Sequence, residues 1–150
     1  MLDTILLQGA SDLFNSAGSA EVFLLSRLLF GFVLAFMGLN HFMMTDGLAG
    51  YSEAKGIPAP RLATLFSGGL LIFGGLGVAT GAFVTLAAGG LAVFLLASAV
   101  TIHDFWAVPE DQQQDEMTSF LKNTVMAGAS LAFLALASAP WPYALDLSLL

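Results

Sequence analysis

The sequence predicts an all-α membrane protein, a four-transmembrane-helix bundle built as one domain over residues 1–150. Hydrophobic residues make up 57% of the chain and charged residues only 10%, against about 25% charged in a soluble domain. The mean hydropathy of +0.85 points the same way. Four apolar runs, at about 22–44, 62–79, 83–102 and 120–139, each approach or reach the roughly 17–25 residues that cross a hydrocarbon core as a helix. Helices are expected because backbone groups in lipid must bond within their own segment. A water-soluble bundle does not fit, since four such runs in so short a chain leave no polar faces.

The first run is broken only by Ser26, Arg27, Asn40 and His41. Residues 45–60 follow as a polar connection punctuated by Gly47, Gly50, Gly56, Pro58 and Pro60, all helix breakers. The second and third helices meet at Thr80-Gly81-Ala82, a tight hairpin. Residues 104–119 read as an acidic loop, and the cluster from Glu110 to Glu116 reads as a solvated face. Pro140 and Pro142 stop the last helix, and Trp141 and Tyr143 suit a lipid–water interface. Before the first run, Leu2, Ile5, Leu6, Leu13 and Phe14 could form one side of a short interfacial helix, with a disordered lead-in as the alternative. Four crossings put both termini on one side. Lys55, Arg61 and Lys122 on the loop side, against Arg27 alone toward the termini, place the loops in the cytoplasm by the positive-inside rule.

Close packing in lipid favours small residues, so helical spacing marks the inward faces. The expected stripes are Arg27, Gly31, Leu34, Gly38 and His41; Ser67, Leu71, Gly74, Val78 and Gly81; Gly89, Ala92, Leu96, Ala99 and His103; and Asn123, Ala127, Ser130 and Leu134. A shift of 62 positions aligns Leu29 with Leu91, Phe32 with Phe94 and His41 with His103. A real repeat would make two helical hairpins related by an axis along the membrane normal.

Several functions are excluded. The chain has no cysteine, hence no disulfide, redox pair or thiolate cluster. Eleven acids against four bases give a net charge of −7, with no basic stripe for nucleic acid. Such an acid-rich, lysine-poor exterior suits a halophilic organism, where salt screens crowded charges. No GxSxG, P-loop, dinucleotide-binding or HExxH motif occurs.

The chemistry-bearing residues are few. His41 and His103 end parallel helices near the loop-side interface, where imidazole can move protons, bond a quinone carbonyl or ligate metal. Structural anchoring of the helix ends is the plainer alternative. Asp104 and Glu53 could supplement them at a metal, but the spacing matches no recognised metal pattern, and a bis-histidine haem is not expected. Arg27 either snorkels or turns inward to hold carbonyls or an anion, about 21 Å along the helix from His41 at 1.5 Å per residue. Asn123 opens the fourth inward stripe and could bond either histidine, whereas Lys122 beside it can snorkel. Tyr51 and Lys55 lie on a connection that could fold over the helix ends as a lid.

These residues resemble the DoxX family of small membrane proteins over about residues 27–133. The resemblance rests on Arg27 and Gly31, then Gly38-Leu39-Asn40-His41-Phe42. It continues through Tyr51-x-x-x-Lys55-Gly56-Ile57-Pro58-Ala59-Pro60, Ser67-Gly68-Gly69 and Gly74-Gly75, and closes with His103-x-Phe105-Trp106 and Phe120-Leu121-Lys122-Asn123. It implies four transmembrane helices and a link to membrane redox systems, the family name being tied to a thiosulfate:quinone oxidoreductase subunit. Related subunits often carry a glutamate in the second helix, where this chain reads Phe66-Ser67-Gly68-Gly69. The expectation is a redox-system membrane subunit that binds quinone or a similar lipid-soluble ligand through His41, His103, Asn123, Asn40 and Arg27, with an electron-donating protein partner. The alternatives are a non-catalytic scaffold or interaction protein and a small transporter or lipid-binding protein, and the partners to consider beside the lipid bilayer are a redox protein and further copies of the chain in a homo-oligomer.

Overall fold

The computed structural model describes residues 13–145 and 147. Helix α1 covers Ser19–Met43, α2 Thr45–Ala54, α3 Pro60–Thr80, α4 Val84–Thr101 and α5 Glu110–Ala135, with a 3-10 turn at Phe105–Ala107. No strand occurs among the described residues. Three segments are long and apolar enough to cross a membrane: Ser19–Met43, Pro60–Thr80 and Val84–Ala107. Helix α5 is a further long helix, polar over its first two turns and apolar beyond.

Three expectations need correction. The acidic stretch from Glu110 is not a loop. Extended Pro109 caps α5, and Glu110 and Asp111 occupy its first turn, where carboxylates favour the positive end of the helix dipole. The connection after α1 is likewise helical as α2, in spite of Gly47 and Gly50. The last helix ends at Ala135, before the prolines. Trp141 then folds back into the core, only 9% exposed, and its indole N–H donates to the Leu136 carbonyl at 2.8 Å. Of the proposed interfacial helix, Leu2, Ile5 and Leu6 lie outside the described residues. Phe14 packs on Phe23, with ring centroids 4.6 Å apart.

Small residues set the packing. Helix α1 buries Arg27, Gly31, Leu34 and Gly38 of the expected stripe together with Ala35, while His41 is half-buried. It lies directly on α3. A methyl group at Gly31 would overlap the Gly75 carbonyl, and one at Gly38 would come within 2.6 Å of the Gly68 carbonyl. Helix α4 is rotated from expectation. It buries Ala88, Leu91, Ala92, Leu95 and Ala99, while Leu96 faces outward. The reason is the partner surface: Gly74 of α3 leaves the space that Leu91 fills, so a leucine rather than a glycine turns inward. Helix α5 buries Asn123, Ala127 and Ser130, as the spacing predicts, together with Glu116 and Phe133.

Candidate functional site

The packing of α3 on α4 is tight at the hairpin and loose at the loop side. Methyl groups at Gly74 and Gly77 would overlap Leu91 and Ala87, whereas nearer the loop side Ser67 of α3 and Ser98 of α4 border open space. A cavity of about 370 Å³ lies between the loop-side halves of the two helices. Its walls come from every helix: Met37 and His41 of α1, Tyr51 of α2, Ser67 and Leu71 of α3, Phe94 and Ser98 of α4, and Asn123 of α5, with His103 just past α4. The volume lies within the range of small-molecule sites, and the mainly apolar wall with a few convergent polar groups fits their usual composition.

His41 and His103 therefore share one cavity. His41 is held within its own helix, its Nδ1 donating to the Met37 carbonyl at 2.9 Å. His103 is held across the fold, its Nδ1 lying 2.9 Å from Oε2 of Glu116. Glu116 is the residue that sequence reasoning missed. Its second oxygen accepts the Tyr51 hydroxyl, and Lys55 Nζ stands 3.6 Å away while pairing with Asp104. Tyr51, Lys55, Asp104, His103 and Glu116 thus form one network that ties α2 to the far ends of α4 and α5.

The electrostatics follow from this arrangement. Burial works to raise the Glu116 carboxyl, but the hydrogen bonds from Tyr51 and His103 and the charge of Lys55 outweigh it and hold the group below the usual carboxylate range. The Tyr51 phenol is pushed well above its ordinary value by burial, by its bond to Glu116, and by the charges of Glu116 and Asp104. Tyr51 stays a donor and Glu116 an acceptor over the physiological range.

The other candidate residues divide. Asn123 faces the cavity, but its amide nitrogen donates to the Ser98 hydroxyl at 3.3 Å rather than to either histidine. Tyr51 and Lys55 lie together on and just after α2, which caps the helix ends as an ordered helix rather than a loop. Asn40 is half-buried and does not line the cavity. Arg27 is inward and fully buried near the opposite end of the bundle. Its guanidinium sits about 5.3 Å from the Phe23 ring centroid and 5.2 Å from that of Trp141, and donates to the Pro142 carbonyl at 3.0 Å. Arg27 is a packing element of the terminal side and does not join the histidine cavity. One signal could have located Glu116: it lies seven residues, two helical turns, before Asn123 on the inward stripe.

Comparison with known proteins agrees with the residues. A protein 28% identical over 115 residues, covering 77% of this chain and 82% of its own length, is the Inner membrane protein YphA of Escherichia coli (strain K12). No solved structure matches. The sequence model of the DoxX family matches residues 22–104, from the start of α1 to just past α4. With its apolar helices of spanning length, the chain is a multi-pass integral membrane protein and belongs to the DoxX family.

Proposed function

We propose that this protein is a membrane subunit of a redox system, a single domain crossing the bilayer four times, whose cavity holds a quinone or similar lipid-soluble ring. The observation that supports the reading best is the convergence of His41 and His103, from separate helix ends, on one largely apolar cavity. The imidazoles bind the polar ring substituents, Asn123 orients the ring and the apolar walls take the rest of the ligand. The chain carries no nicotinamide or flavin motif, so electrons come from a protein partner. The loops on the cavity side face the cytoplasm in this reading. The test is purified protein in detergent, assayed for co-purified and added quinone and hydroquinone, with His41→Ala and His103→Ala beside it. Each variant is expected to lose about tenfold or more in binding of whichever form, quinone or hydroquinone, the imidazoles hold, as removal of a hydrogen-bonding partner from a ligand site typically does. Unchanged binding in both would remove the site.

A second reading, a non-catalytic scaffold, is supported by the network that ties α2 to α4 and α5. Here His103 only anchors helix ends. It is favoured if His103→Ala lowers thermal stability while cells carrying it keep the protein's full activity.

A further inference from the structure

Most of the polar lining of the cavity offers lone pairs. The Met37 carbonyl can only accept, so Nδ1 of His41 must carry a proton. A carboxylate also only accepts, and Glu116 takes the Tyr51 hydroxyl on one oxygen and the Nδ1–H of His103 on the other. In each neutral ring the other nitrogen, Nε2, is then a bare lone pair, and neither Nε2 has a protein partner among the described residues. The hydroxyls follow the same rule. Thr64 donates to the Pro60 carbonyl at 2.9 Å, Ser67 to Thr64 at 2.9 Å and Thr101 to Ala97 at 2.8 Å. Each of those three keeps only lone pairs to offer the cavity. The donors left in the lining are the Ser52 and Ser98 hydroxyls and the second amide hydrogen of Asn123.

We infer that the cavity is a hydrogen-bond acceptor site, selective for a ring that carries hydroxyl donors, a hydroquinone or related phenol, over the carbonyl-bearing quinone. This inference rests on the proposed ligand site and names the form that it holds. A hydroxyl hydrogen meets Nε2 of either histidine directly. A carbonyl oxygen placed there meets a lone pair instead, and its own bonds to water are lost without replacement. Glu116 acts as a positioning residue, since it sets which nitrogen of His103 faces the ligand.

Two measurements test this. The first compares three probes, decyl-substituted hydroquinone, the quinone and the hydroquinone dimethyl ether, on the purified full chain at about pH 8. The hydroquinone is expected to bind roughly tenfold or more tighter than the other two, because a site built around a ligand hydroxyl rejects analogues that lack it. Glu116→Gln, which frees the His103 ring to exchange tautomers, is expected to narrow that preference. Equal or tighter binding of the quinone overturns this inference alone. Binding of none of the three overturns it together with the proposed site. The second measurement needs no ligand. The chain has only two histidines, so ¹⁵N spectra of histidine-labelled protein, assigned with His41→Gln, report both tautomers. Proton-bearing Nδ1 in both rings is expected, and an Nε2-protonated neutral ring at either position overturns the inference.

Discussion

Glu116 shows how a single carboxylate organises this site. It is 9% exposed and holds His103, Tyr51 and Lys55. Because the fold keeps its carboxyl below the ordinary range, the ionised form is favoured in the native state. That contribution to stability is complete above the unfolded-state pKa of about 4.3 and is lost as pH falls through the lower folded value. Thermal melts of the wild type are therefore expected to fall steeply on acidification through that window, while Glu116→Gln starts lower and loses less over the same range. A variant that tracked the wild type would show that the network carries no such linkage. His41, His103 and Asn123 were legible from sequence because a polar residue at the end or on the inward face of an apolar helix stands out. Glu116 was not, because it lies among the exposed acids Asp111 and Asp115, and only the turn of α5 separates it from them.

At the scale of elements, glycines divide by what they face. Gly31 and Gly38 of α1 with Gly68 and Gly75 of α3 let two backbones touch, in a medium where leucine gains little by burial. Gly31→Ala is expected to lower stability by about 1–3 kcal/mol, as overpacking of a tight interface does. Gly50→Ala in α2, where a methyl meets nothing within 4 Å, is expected to be neutral or to stabilise by about 0.5–1 kcal/mol through the better helix propensity of alanine. Melting temperatures of the two variants in one detergent check the contrast. The same distinction explains why α2 was hidden in the sequence. Gly47 and Gly50 weaken a helix by only about 1 kcal/mol each, and the docking of Ala49, buried in the bundle end, and of Leu48 and Tyr51 against the cavity helps offset it. The rotation of α4 was hidden for a related reason, since its inward face depends on where α3 leaves room.

At the scale of the molecule, the bundle is closed by tight contacts at the α3–α4 hairpin and opens at the loop side, where α2 and the Glu116 network cover the helix ends. The absence of native cysteine makes the sidedness easy to measure. Gln112→Cys, near the start of α5, is expected to resist a membrane-impermeant maleimide in intact cells and to react after permeabilisation. Labelling of intact cells would reverse the orientation. By itself the sequence determined the helical class, the membrane setting, the inward stripe of α1 and the family, because hydropathy and residue spacing along one chain record which faces avoid water. Only the tertiary structure decided that the two histidines share a cavity, that Arg27 does not, and that Glu116 governs one of the rings. Those facts depend on helix rotation and on distances between segments far apart in the chain, which no local pattern of residues encodes.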